Sequence, residues 1–496
     1  MVGKDSWNWA YLGWQAMLVV AIFIALLSLA GCADEDVNLP DAKQAANLVA
    51  FSTYLQQNRE TRATLPDGET GPTDTETLKQ RGFGVFAIHT GAETFSHDGT
   101  TGGQPFDFMW NQEVTWDSQL ADDYITKWTY APLKYWPNGN SPADDQDDDT
   151  GSDPATGTGA DGGSPDRVSF FAYAPWVAYS DLYDGDGTLK TVATDYGIVD
   201  MTGNGTASGT SCLTYRLNPS MKSSDCVDLL WAYSADRYKT DGQPDGGGYT
   251  TGTVQLKFIH ALSRLRLLVQ AVVDRAQPSD AWTEYDDDVH EATRVLIESV
   301  EIVSPHFNTE GQMLITPQSS GATVPTWQNL SSPVGLSISG STIREPLRFT
   351  GSTSVGWERV PAAIAGSYDS ADDAEADFLL LPPGVTKTPQ SLFADDDDQY
   401  RLVLPGNAEE QLTVRIVYYV VTYDPRLTLN TPRYFSIVRN EITQSAAQSV
   451  KFEPNKQYTL RLLLGLTTVK FLVESVEGWD DVEPAEEINI DELNTP

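Results

Sequence analysis

Val414-Arg415-Ile416-Val417-Tyr418-Tyr419-Val420-Val421 is the stretch that decides the fold of this chain. β-Branched and aromatic residues fill it, neither Gly nor Pro interrupts it, and Arg415 carries its single charge, which suits a pleated strand with little water around it. Val254-Gln255-Leu256-Lys257-Phe258 makes the same point by alternation. Val254, Leu256 and Phe258 share one face while Gln255 and Lys257 take the other. Val85-Phe86-Ala87-Ile88 and Arg264-Leu265-Arg266-Leu267-Leu268-Val269 are further short runs of this kind, and Gly, Pro, Asp and Asn clusters separate them. Helical periodicity is nearly missing after the first thirty residues. The pattern predicts an all-β protein built from antiparallel β-sandwiches or barrels.

The 496 residues are long enough for two domains with cores of their own. The Gly-rich stretch 241–251 is the natural boundary, giving an N-terminal β-sandwich over residues 45–245 and a C-terminal one over 250–482. Asp-, Gly- and Ser-rich residues 144–166, with Asp286-Asp287-Asp288 and Asp395-Asp396-Asp397-Asp398, read as loops between strands. An acidic tail, residues 483–496, closes the chain.

The first thirty-one residues read as a leader. An apolar run over 17–28 is shorter than the ~20 residues a spanning helix needs, and Leu29-Ala30-Gly31-Cys32 follows it at once. This junction resembles a bacterial lipobox, which implies a lipoprotein signal peptide over residues 1–31 and lipidation at Cys32. Residues 32–44 then form an acidic tether, and Ala33-Asp34-Glu35-Asp36 resembles the signal that carries Bacteroidetes lipoproteins to the outer face of the outer membrane. The net charge of −38 excludes nucleic acid as a partner, since phosphates would be repelled.

No catalytic constellation stands out. The five histidines form no His-Glu-x-x-His pair, no Gly-x-Ser-x-Gly elbow is present, and His260, at the end of an apolar strand, reads as a hydrogen-bonded structural residue. Asp184-Gly185-Asp186-Gly187 hints at a calcium loop but lacks the other ligand spacings, so a tight turn is expected, with no metal and no cofactor. Cys212 and Cys226 would close a loop of about 15 residues, worth ~3 kcal/mol as a disulfide. Spacing alone does not decide whether they meet. The block Trp128-Thr129-Tyr130-Ala131-Pro132-Leu133-Lys134-Tyr135-Trp136-Pro137 is either core or an exposed sugar-stacking platform, and the partner-like strand Phe170-Phe171-Ala172-Tyr173 favours core.

Several blocks, in order, resemble the fimbrillin family of Bacteroidetes, which includes the type V pilins. They are Val49-Ala50-Phe51-Ser52, Glu60-Thr61-Arg62-Ala63, Phe83-Gly84-Val85-Phe86-Ala87 and Phe108-Met109-Trp110-Asn111-Gln112-Glu113-Val114. After these come the Trp128 block, Val168-Ser169-Phe170-Phe171-Ala172-Tyr173-Ala174-Pro175 and Val227-Asp228-Leu229-Leu230-Trp231-Ala232. Leu256-Lys257-Phe258-Ile259-His260 and Tyr458-Thr459-Leu460-Arg461-Leu462 with Trp479 complete the set. The resemblance implies two tandem transthyretin-like sandwiches and a lipid-anchored, surface-exposed fimbrial (pilus) subunit with no enzymatic activity. It implies other fimbrial subunits as partners, a host or bacterial surface ligand for adhesion, and the membrane reached through the lipid. It also implies assembly by strand exchange: a protease cuts after an Arg, the first strand leaves, and a neighbour's strand fills the groove. Val49, Phe51 and Leu55 are the anchors of such a displaced strand, worth roughly 5–9 kcal/mol gross at ~1.5–3 kcal/mol per buried side chain. Arg59 and Arg62 are the cleavage candidates, Arg62 matching the family's Thr-Arg-Ala. The tail offers few donor anchors (Ile488, Ile490, Leu493), which favours an accessory, tip or anchor subunit over the shaft. The alternative is a non-polymerising surface lipoprotein that binds glycan through Trp128, Tyr135 and Trp136.

Overall fold

The computed structural model describes residues 48–55, 75–91, 93–96, 106–120, 126–137, 166–190, 196–202, 211–238, 253–271, 293–339, 348–350, 356–358, 379–381, 390–393, 400–423, 435–465 and 468–479. Met1–Leu48 and Val49–Pro496 are separate units, and all the strands and helices named below belong to the second. Its first half holds β1 (Ala50–Leu55), helix α1 (Thr75–Arg81), β2 (Phe83–Gly91), β3 (Met109–Trp116), β4 (Trp128–Thr129), β5 (Arg167–Ala174), the single-turn α2 (Tyr179–Leu182), β6 (Gly197–Thr202), β7 (Cys212–Arg216) and β8 (Leu230–Arg237). Then come β9 (Thr253–His260), β10 (Ser263–Ala271), β11 (Thr293–Leu314), β12 (Trp327–Ser339), β13 (Arg348–Thr350), β14 (Gly356–Glu358), β15 (Leu379–Leu381) and β16 (Gln390–Ser391). The last are β17 (Arg401–Val403), β18 (Glu410–Tyr423), β19 (Phe435–Val450), β20 (Lys456–Leu464) and β21 (Val469–Gly478). The fold is all-β, as the alternating runs predict. Val254 to Phe258 lies in β9, and the deciding stretch at Val414 lies in β18.

Sheet one has the order β1-β9-β8-β5-β2-β3-β4. It curls until its two ends meet, because the backbone N–H of Val49, just before β1, donates to the Lys134 carbonyl beyond β4 at 3.0 Å. The inner face closes over Phe51, Phe83, Trp128, Phe170, Leu256 and Phe258, and Leu78 of α1 joins this core. Helix α1 ends where Gly82, at φ +66°, donates its N–H to the Leu78 carbonyl, the left-handed stop that glycine adopts without strain. The opposite face of sheet one, through Phe86, Phe171, Tyr173, Trp231 and Ile259, belongs to a second and larger core.

That second core lies between two further sheets. One runs β16-β10-β20-β21, with β17 also on β10; the other runs β19-β18-β11-β7-β6, with β12 and β15 also on β11. Leu265 and Leu267 of β10 and Leu460 and Leu462 of β20 pack in one cluster with Val300 and Ile302 of β11 and Val414 and Ile416 of β18. The Tyr418 hydroxyl crosses between the sheets to the Gly465 carbonyl at 2.8 Å.

Most strand pairs are antiparallel, as the alternating runs predict, and two are parallel. β1 runs parallel to β9, and β10 runs parallel to β20. Parallel neighbours need a long crossover, and here both crossovers are long: residues 56–252 and 272–455 separate the partners. Strand pairings also span the boundary expected at residues 245–250. β9 pairs with β8, while β6 and β7 join β11 in a sheet of the second half.

Candidate functional site

The expected displaced strand is β1, and it occupies the end of the sheet-one order. Its ladder on β9 aligns Phe51 with Val254, Thr53 with Leu256 and Leu55 with Phe258. Direct partners share a face, so the period-2 anchors of the two strands point into the same core. Val49, Phe51 and Leu55 are buried, Thr53 is half-buried, and Tyr54 on the opposite face is 58% exposed. The Phe51 ring sits among Phe83, Tyr130 and Phe170 at centroid distances of 6.1, 5.5 and 5.8 Å. Edge-to-face aromatic contacts of this kind add about 0.5–1.5 kcal/mol beyond area burial.

Among the described residues, the other side of β1 has no ladder. It is clasped by separate bonds from the segment around β4. The Thr126 hydroxyl donates to the Phe51 carbonyl at 2.6 Å, the Tyr130 hydroxyl donates to the Val49 carbonyl at 2.7 Å, and the Val49 N–H reaches Lys134. Burial pushes the Tyr130 hydroxyl well above the usual tyrosine range, so it stays a neutral donor. The buried Ser52 hydroxyl has no hydrogen-bond partner among the described residues. β1 therefore combines core anchors with a backbone paired continuously on one side only. Removing it would open a trough lined by Phe83, Phe170 and Phe258 and expose the ladder edge of β9.

Other expected residues fall elsewhere. Cys32, Arg59 and Arg62, the leader, the tether and the acidic tail lie outside the described residues. Cys212 and Cys226 are buried thiols with no bridge between them, which corrects the candidate disulfide. The Cys212 sulfur instead meets the Thr202 hydroxyl at 2.8 Å.

The Trp128 block is core, the reading that its partner-like strand favours. Trp128 and Trp136 are 5% and 4% exposed and pack in the sheet-one core, leaving Tyr135, at 43%, as the exposed ring of the three. His260 is structural, as its place at a strand end predicts: it is 3% exposed, its Nδ1 lies 2.8 Å from Asp228 Oδ2, and its ring stacks on Trp479 at 4.2 Å. Asp184 and Asp186 form a turn closed by Gly187 N–H to the Asp184 carbonyl and Thr188 N–H to Asp186 Oδ1. That backbone bond draws the Asp186 carboxyl below its ordinary value. Sequence reasoning missed Thr126 and Tyr130 as the clasp on β1. The dense aromatic block signalled burial, but nothing local to it signalled contact with a strand about eighty residues earlier.

No family model and no curated protein sequence matches this chain. Among solved structures, it is similar to a fimbrial protein from Bacteroides vulgatus ATCC 8482 at 18% identity and a TM-score of 0.48, over 86% of this chain and 99% of that one. It is similar to the fimbrial anchor protein Mfa2 from Porphyromonas gingivalis at 9% identity and a TM-score of 0.26, over 83% and 88% of the two chains. The tip fimbrial protein Mfa3 from the same organism follows at 10% identity and a TM-score of 0.24, over 80% and 94%. These structural neighbours are Bacteroidetes fimbrial proteins.

Proposed function

We propose that this chain is a structural subunit of a surface fimbrium that assembles by strand exchange, giving up β1 and seating a neighbour's strand in its place. The observation that carries this reading is the seat of β1: buried anchors at Val49, Phe51 and Leu55 on a strand whose continuous backbone pairing is confined to β9. Excision would leave an apolar trough beside an unpaired edge, and such an edge binds an incoming strand by β-augmentation. Arg59 and Arg62 follow β1 by four and seven residues, which suits cleavage just past the strand. The same reading makes the chain a lipoprotein anchored at Cys32 in the outer membrane, non-enzymatic, and an accessory, tip or anchor component. It holds two transthyretin-like sandwich bodies whose halves lend strands to each other's sheets.

The test is treatment of the mature protein with an Arg-specific protease. The expected result is loss of the segment containing β1 followed by high-mass ladders that survive mild detergent. Arg62→Ala together with Arg59→Ala should abolish both. A clean excision that leaves a stable monomer, or ladders formed equally by the double variant, would overturn the proposal. The burial of Trp128 and Trp136 removes the sugar-stacking platform on which the rival, non-polymerising reading rested.

A further inference from the structure

A cleft of about 700 Å³ opens beside the second core, on the face of sheet one that carries Trp231 and Ile259, and lies within the size range of small-ligand sites. Tyr233 and Arg237 of β8 and Lys257 of β9 line it, with Thr323 between β11 and β12, and Asn455 and Lys456 at the start of β20. Its charge is the reverse of the molecule's. The chain carries 70 acidic residues against 32 basic ones, yet three cations line this cleft with one carboxylate, Asp236. That carboxylate is already engaged, since its Oδ1 accepts the Phe95 N–H at 2.6 Å.

The cleft is also built before any ligand arrives. β8 carries a bulge where its pairing with β5 shifts register between Val168 and Phe170. Asp236 takes up the bulge at φ +56°, with its N–H on the Ser169 hydroxyl at 2.8 Å. A bulge re-aims the side chains beside it, and here the neighbour is Arg237, whose Nε donates to the Ser234 hydroxyl at 2.8 Å. The opposite wall is pinned at Asn455, at φ +59°. Its N–H donates to the Leu262 carbonyl at 2.9 Å, and its carbonyl accepts the Trp479 N–H at 3.0 Å. Preformed walls lower the ordering cost of binding. The exposed Tyr54 stands opposite Lys257 in the β1–β9 register, so an aromatic ring sits about 5 Å away, Cβ to Cβ, on the same face.

Cations, hydroxyls, an amide and aromatic rings in a compact cleft match a ring-shaped ligand with a carboxylate and several hydroxyls. We propose that the cleft binds a carboxylated saccharide, a glycan whose reached sugar is a sialic or uronic acid. Lys257 and Lys456 meet the carboxylate, Thr323 and Asn455 face the hydroxyls, and Tyr233 offers its ring to the apolar sugar face. A charged hydrogen bond lost in such a site costs about tenfold in affinity.

The test titrates the mature full chain with 3′-sialyllactose and with a hyaluronan tetrasaccharide, using lactose and chitotetraose as neutral counterparts. At least one acidic sugar should bind while its neutral counterpart does not, with affinity falling as salt rises. Lys257→Gln and Lys456→Gln should each weaken binding by about tenfold with an unchanged unfolding midpoint. Lys257 lies on an exposed face, so its variant carries the test should the other fail to fold. The proposal is overturned if neither acidic sugar binds, if neutral and acidic sugars bind alike, or if Lys257→Gln binds as the wild type does. It is also overturned if a synthetic peptide of residues 480–496 occupies the cleft and the sugars do not.

Discussion

The two parallel strand pairs of this molecule share a pairing mode and differ in everything that sets the cost of separating them. β10 and β20 lie side by side inside a sheet: β10 also pairs with β16 and β17, and β20 also pairs with β21. β1 has β9 on one flank and a few single hydrogen bonds on the other. Both regions bury large apolar side chains completely. The difference therefore lies in the backbone and not in the core contacts. A strand held by ladders on both sides leaves only with the whole sheet, whereas an edge strand can open locally.

The largest expected effect is at the interior pair. Arg461 of β20 is fully buried, and its guanidinium forms a two-pronged pair with Glu474 of β21, with Nε to Oε2 at 2.8 Å. Burial lifts the Glu474 carboxyl above its ordinary value, and the Arg461 charge opposes that rise. Breaking such a pair strands a charge, so Arg461→Ala should cost about 3–5 kcal/mol. In a urea titration the loss should appear as one cooperative shift felt by every probe. Phe51→Ala comes next, at about 3 kcal/mol or slightly more, the low end of the range for a truncated core aromatic. Its mark should be local: amide exchange accelerates along β1 and β9 while β10 and β20 keep their protection. Equal acceleration in both pairs would erase the difference between them. Tyr130→Phe is the mildest, removing one hydroxyl bond to β1 at about 1 kcal/mol. It should raise the rate of protease-driven release of β1 and leave the interior pair untouched.

Much of the fold is legible in the chain because alternation is a local signal. The runs at Val254, Val85, Arg264 and Val414 all lie in strands, and the anchors Val49, Phe51 and Leu55 are buried as their spacing predicts. Strand direction is not local. Nothing within residues 50–55 or 253–258 records that the two strands run the same way, because their pairing depends on the long chain path between them. The cysteines teach the same lesson at smaller scale: a spacing of fourteen residues suits a bridge, yet both thiols are buried and unbridged. The Tyr130 clasp and the cation-lined cleft are illegible for a related reason. Each gathers residues from distant parts of the sequence, and no segment alone carries its signature.

The direction of β1 has one more consequence. A replacement strand that keeps its register and side-chain order must enter with the same orientation as β9. In an assembly that fills the vacated seat with a different segment of the neighbour, the surface that gives and the surface that receives would be different parts of the molecule. Unless its rotation happens to bring the last copy back to the first, a head-to-tail contact of this sort repeats without end. A polymer built on the proposed exchange would have two chemically distinct termini, one presenting an unused strand and the other a vacant seat.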